Sequence, residues 1–183
     1  MTSDGTVRAI HVAPEQGAPV ESRESVTAEA GAGLRGDRYF DAEGTFASRF
    51  LGSAERLSAG GEAASRDGSD LTLIEQEALD AVEADYDIAL EPGVHRRNVT
   101  TEGIALNHLV GERFRVGEAV CVGTELCEPC SYLERHLERE GIREALVHRG
   151  GLRARILEGG TVAVGDTVAA LATGDEEHDG PEN

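Results

Sequence analysis

The chain has 183 residues, enough for one ordinary domain with a real core and too few for two. Apolar residues make up 39%, which excludes disorder throughout, while aromatics are only 4% and Trp is absent, so the core must be built from Val, Leu, Ile and Ala. Asp and Glu number 35 against 17 basic residues, all of them Arg, and the net charge of -18 excludes nucleic acid and anionic lipid as general partners.

Carboxylates spread over the whole sequence suit a salt-rich cytoplasm, where screening weakens their repulsion, so a halophilic protein is expected. Its melting temperature should fall as KCl is withdrawn. No run approaches the roughly 18 apolar residues of a membrane helix, and the first residues carry neither a basic region nor an apolar signal core. A cytoplasmic, reducing location follows, in which Cys121, Cys127 and Cys130 are thiols rather than a disulfide framework.

In chain order, residues 6–12 (TVRAIHV) alternate as a half-buried strand does, and residues 24–30 form a weaker strand closed by Gly31-Ala32-Gly33. Residues 41–70 are rich in Gly, Ser, Ala and charge and read as a long loop insertion. Residues 71–73 form a strand, followed by a helix over 75–85. Its apolar stripe is Ile74, Ala78, Val82 and Tyr86, with Leu79 beside it and Glu75 and Glu77 at the positive end of its dipole.

Pro92-Gly93 marks a turn before a strand over 97–100, and residues 104–111 form one helical turn ended by Gly111. Residues 113–116 and 119–124 flank Gly117-Glu118 as a hairpin. Residues 153–158 and 161–164 are expected to form a second hairpin through Gly159-Gly160, and Gly165-Asp166 turns the chain into a last strand over 167–171. The acidic tail, residues 174–183, reads as disordered. Strands this short predict a mostly β, barrel-like fold with a few peripheral helices, one domain over residues 6–171.

Cys127-Glu128-Pro129-Cys130 leads into a second helix. Ser131 and Glu134 have the spacing of a capping box, which makes Ser131 the N-cap, and Gly141 stops the helix. Cys130 then lies just outside a helix N-terminus, where the dipole favours thiolate, the form that attacks electrophiles, carries a persulfide or binds a soft metal. A zinc site would need a second ligand pair that the spacing does not supply, although Cys121 with His136 or His148 could complete one in space. A thioredoxin-like dithiol would need a preceding βαβ context. Cys121, inside an apolar strand, reads as a buried small hydrophobe, and Cys127 is balanced between that role and a functional one.

His95-Arg96-Arg97-Asn98 could grip phosphate or carboxylate, since guanidinium matches both in bidentate geometry, though ion pairing with abundant acids is the commoner explanation. His148-Arg149-Gly150-Gly151-Leu152-Arg153 and Gly33-Leu34-Arg35-Gly36-Asp37-Arg38-Tyr39 are two further candidate anion cradles, with plain loops as the alternative.

Those segments, with Leu71-Thr72-Leu73-Ile74-Glu75, residues 104–111, residues 113–118, Cys127 to Cys130 and residues 159–166, together resemble the MOSC domain, named for the C-terminal domain of molybdenum cofactor sulfurase. The resemblance implies a strand-rich barrel and a role in molybdenum cofactor or sulfur chemistry. It places the family's functional cysteine at Cys130, as a ligand to molybdenum or as a sulfur carrier, and Cys127 and His148 are the further candidate catalytic residues. It places Arg96, Arg97, Asn98, Asp37 and Arg38 around the cofactor, and Arg153 joins them as the cation of the 148–153 cradle.

Where some stand-alone relatives carry a histidine, this chain has Tyr39-Phe40-Asp41, so His148 or His95 would have to act in its place. The chain also lacks the N-terminal extension of the larger amidoxime-reducing relatives and any desulfurase domain. The leading expectation is a molybdenum-cofactor-dependent reductase of N-hydroxylated small molecules. The alternatives are a persulfide carrier fed by a pyridoxal-phosphate-dependent desulfurase, with Cys127 resolving the persulfide, and a non-catalytic cofactor-binding module. The expected partners are a small-molecule substrate or cofactor and a desulfurase or electron-donor protein.

Overall fold

The computed structural model describes residues 4–15, 17–40, 70–129 and 131–172. Residues 41–69 of the insertion expected over 41–70, the acidic tail and Cys130 lie outside the described residues.

Seven strands close on themselves. β1 (Gly5–Val12) pairs with β6 (Val99–Glu102), and β6 with β5 (Leu71–Glu75). β5 pairs with β9 (Leu152–Glu158), β9 with β8 (Ala119–Leu126), and β8 with β7 (Arg113–Val116). β7 pairs with β11 (Thr167–Ala170), which returns to β1 through Gly5 opposite Val168. The β5–β6 pair is parallel, with Leu73 opposite Val99, while the other barrel pairs are antiparallel. A parallel pair needs a crossover, and helix α1 (Gln76–Tyr86) supplies it. β2 (Glu21–Arg23) is added on the outside of β1.

Alternation decides what fills the barrel. Leu71 and Leu73 of β5, Leu152, Ala154 and Ile156 of β9, and Phe114 and Val116 of β7 belong to one buried cluster, with Phe114 as its aromatic member. The opposite face of β5 carries Thr72 and Ile74. Ile74 belongs to a second cluster with Leu79, Val82, Ile88, Leu133, Ile142, Ala145 and Leu146, which packs α1, α2 (Ser131–His136) and α3 (Ile142–Ala145) on the outside of the barrel. Thr72 is half-buried outside that cluster.

Several expectations change. The Gly159-Gly160 step is not a hairpin: β10 (Gly160–Ala163) leaves the barrel and pairs with β3 (Ser25–Glu29), Thr161 facing Thr27, and β3 also pairs with β4 (Gly33–Leu34). The strand expected over 97–100 begins at Val99: the Arg97 N–H turns back onto His95 Nδ1, while the Asn98 backbone still bonds Thr72 O and the His11 N–H of the neighbouring strands. Tyr86 is 40% exposed at the end of α1, outside the apolar stripe.

The capping box does not close. The Glu134 carboxylate accepts from the Arg143 backbone N–H instead, and the helix ends at His136. Gly141, at φ 89°, is the N-cap of α3 rather than the stop of α2. Glu75 and Glu77 use their carboxylates to accept from the backbone N–H groups of Leu106 and Gly103, tying α1 to the loop before the 3-10 turn Leu106–Leu109. Burial raises the Glu75 pKa above the usual carboxylate value, and the Leu106 hydrogen bond opposes the rise.

Candidate functional site

The site grows from the ends of β1, β5 and β8. Cys127 follows β8, and its N–H donates to Gly151 O at 2.8 Å. A Cβ on Gly150 would lie 2.1 Å from Cys127 O, and one on Gly151, at φ 103°, would lie 2.0 Å from Leu73 O. The two glycines let the cysteine segment, the 148–151 loop and β5 touch backbone to backbone.

Arg97 links this point to the next loop. Its Nε donates to Gly150 O at 2.8 Å and its Nη1 to His95 O at 3.3 Å, so this guanidinium is a strut between backbones. Asn98 is a second node. Its Oδ1 accepts from Thr72 N at 3.1 Å and from Thr72 Oγ1 at 3.0 Å, and its Nδ2 donates to His11 O at 3.2 Å and Asp37 Oδ2 at 3.1 Å. Asp37 Oδ2 also accepts from Ala13 N, and Asp37 Oδ1 accepts from Tyr39 N. Four segments distant in sequence thus meet on one amide and one carboxylate, both already engaged by protein.

The free donors are elsewhere. Arg38 lies over the Tyr39 ring and donates from Nη2 to Tyr39 Oη, yet its Nε and Nη1 are buried without a hydrogen-bond partner among the described residues. Arg96 donates from Nη1 to Ala18 O at 3.0 Å, and its Nη2 is likewise buried and without a partner among the described residues. Both border the loop over residues 13–20, Arg38 through its backbone N–H on Ala13 O and Arg96 through Ala18. Unpaired buried guanidinium N–H groups are costly, and an anion satisfies them.

The histidines separate. His95 is 1% exposed, and burial, with the nearby charge of Arg97, pushes its pKa down to about 3, so it is neutral and unsuited to acid–base work near pH 7. His11, buried and edge-on to His95 at 5.9 Å, is also shifted down by burial. The His148 side chain is exposed, with Nδ1 3.8 Å from Glu128 Oε1. His148 stands at a cleft of about 270 Å³ lined also by Glu75, Glu77, Asn107, Arg149 and Gly151.

The structure therefore gathers Asp37, Arg38, Arg96, Arg97, Asn98 and Cys127 into one connected region. It does not bring Arg153 to the free donors, since this guanidinium pairs with Glu125 at 3.1 Å. Cys121 is buried in the barrel, and burial, with Asp70 nearby, pushes its thiol up to about 12, the behaviour of a structural cysteine. Cys127 is 4% exposed. Among the described residues no three of His, Cys, Asp and Glu are grouped to hold a metal.

Sequence reasoning missed Thr72 and the structural use of His11. The signal for His11 was faint: it interrupts the alternation of β1 in a run that is buried throughout, Ile10 to Val12. Thr72 carried none, since a polar residue between two leucines reads as an exposed strand position.

No curated protein matches the chain. Among solved structures it is similar to the YuaD protein from Bacillus subtilis, with TM-score 0.71 and 16% identity over 93% of this chain and 97% of that one. It is also similar to YiiM from Geobacillus stearothermophilus, with TM-score 0.63 and 13% identity over 94% and 77% of the two chains. For YiiM from Escherichia coli the values are 0.60, 14%, 91% and 70%. At these identities the structures share a fold, which agrees with the closed barrel. The sequence itself goes further: the MOSC domain model matches residues 60–169, spanning β5 to most of β11 and both the Arg96–Asn98 and Cys127–Cys130 segments, and the chain belongs to the MOSC domain family.

Proposed function

We propose that this protein binds a molybdenum cofactor through Arg38 and Arg96 and acts as a small oxidoreductase in which the Cys130 thiolate is the protein's ligand to the metal. The observation that carries this reading is the pair of guanidiniums whose buried N–H groups have no hydrogen-bond partner among the described residues, with Arg38 tied to Ala13 and Arg96 to Ala18. They fit the phosphate of a pterin, because guanidinium hydrogen-bonds phosphate with charge assistance. Membership of a family associated with this cofactor supports the same assignment.

Within that reading the roles divide. Arg38 and Arg96 hold the anionic end. Arg97 and Asn98, engaged with backbone and with Asp37, keep the surrounding loops in register. Cys130 offers a soft donor suited to a transition metal. When bound, the cofactor supplies two-electron redox chemistry at the metal. Reduction of N-hydroxylated small molecules is the activity proposed, with electrons from a separate redox protein. His148, exposed and 3.8 Å from Glu128 of the cysteine segment, places an imidazole beside it.

Metal and pterin analysis of protein purified under reducing conditions tests the proposal. Stoichiometric molybdenum and pterin are expected, with molybdenum lost in Cys130→Ser and pterin lost in Arg38→Ala and Arg96→Ala. Metal-free protein that gains the mass of one sulfur atom on Cys130 after incubation with a desulfurase would replace it with the persulfide carrier. Bound cofactor without turnover of any N-hydroxylated compound would reduce it to a binding module.

A further inference from the structure

We propose that His95 is a positioning residue: its imidazole fixes the left-handed turn that presents Arg96 to an anion. The proposal rests on the reading of Arg96 as an anion ligand.

Arg96 has φ 59°, a conformation in which an L residue crowds its own Cβ against the carbonyl. Something must hold it there. The Arg97 backbone N–H donates to His95 Nδ1 at 3.0 Å. An Asn or Asp side chain closes the same ring when it accepts the N–H two residues on, and such rings stabilise tight turns. In His95 the Nδ1 atom, one bond beyond Cγ, takes the place of the Asn Oδ1.

The ring is restrained on its other sides. Its Nε2 lies 3.4 Å from Thr100 Oγ1, and because Nδ1 accepts, Nε2 carries the proton. The His11 ring meets it edge-on, and Gly93 sits so close to His11 that a Cβ there would lie 2.7 Å from Cδ2. Arg97 closes the loop from outside through His95 O and Gly150 O. From this turn the Arg96 side chain reaches Ala18 O with Nη1 and keeps Nη2 free of partners among the described residues. A residue at position 95 that cannot accept the Arg97 N–H leaves the left-handed backbone held only by the Arg96 N–H on Gly93 O and by the Arg97 guanidinium on His95 O, so Arg96 relaxes and its guanidinium leaves the anion site.

Inorganic phosphate is the probe, titrated calorimetrically at constant pH and KCl into wild type, Arg96→Ala, His95→Asn, His95→Gln and His95→Leu. His95→Asn should bind within about twofold of wild type, because its Oδ1 closes the same ring. His95→Gln, one atom too long, and His95→Leu, with no acceptor, should bind about five- to tenfold more weakly, the loss of one hydrogen bond's free energy. The comparison is made among variants with wild-type circular dichroism. If His95→Leu does not fold, His95→Gln against His95→Asn decides alone. Wild-type affinity in His95→Gln or His95→Leu, or equal weakening in His95→Asn, overturns the proposal. Unchanged affinity in Arg96→Ala instead overturns the anion-ligand reading beneath it.

Discussion

Asn98 and Asp37, 61 residues apart, are joined by a 3.1 Å hydrogen bond from Asn98 Nδ2 to Asp37 Oδ2. The same asparagine holds Thr72 by its carbonyl oxygen and His11 by its remaining amide hydrogen. Every hydrogen-bonding direction of this side chain is thus used inside the protein, and its contribution is to the shape of the site.

Asn98→Ala should therefore lower stability by about 2–3 kcal/mol, since it removes at once the side-chain hydrogen bonds to Thr72, to the His11 carbonyl and to the Asp37 carboxylate. Asn98→Asp should cost more, because a second carboxylate would face Asp37. Urea denaturation of the three proteins measures both effects. If Asn98→Ala were as stable as wild type, the network would not be holding these segments.

The barrel was largely legible before the structure because alternation is a local signal. Residues 6–12 and 113–116 show the period of two, 119–124 is an apolar run behind the Gly117-Glu118 turn, and each forms a strand close to the expected bounds. What could not be read was pairing. β9 and β10 look like a Gly-Gly hairpin, but their partners are β8 with β5 and β3, a choice made by long-range contacts. The site divided in the same way. Arg96, Arg97 and Asn98 stood out as residue types, but neither which arginine is tied to backbone nor the recruitment of Thr72 and His11 is encoded in neighbouring letters.

The buried histidine gives a pH signature. His95 takes up a proton near 6.5 when unfolded and only near 3 when folded, so below pH 6.5 the unfolded chain binds more protons. Its contribution to stability is complete above pH 6.5 and is lost as pH falls toward 3. The slope from this one residue approaches about 1.4 kcal/mol per pH unit. His11, also shifted down by burial, acts in the same direction. Unfolding free energies measured between pH 7 and 5 should fall with acidity, and His95→Asn should flatten the curve. An unchanged slope in that variant would show that His95 is not the group responsible.

Gly151 is the position where a single methyl group would do most damage near the cysteine segment. Its φ of 103° is strained for any L residue, and a Cβ would sit 2.0 Å from Leu73 O, a backbone atom of a barrel strand that cannot yield. The 148–151 loop must move instead. With it would go the Gly151 carbonyl that accepts the Cys127 N–H and the Gly150 carbonyl that accepts Arg97 Nε. Gly151→Ala should lose about 2–4 kcal/mol of stability, the range of overpacking and backbone strain combined. It should also make Cys127, now 4% exposed, open to alkylation under native conditions, while Cys121 in the barrel interior stays protected. Mass spectrometry after brief iodoacetamide treatment distinguishes the two thiols. Equal protection of Cys127 in wild type and variant would mean that the glycine contact does not hold the cysteine segment in place.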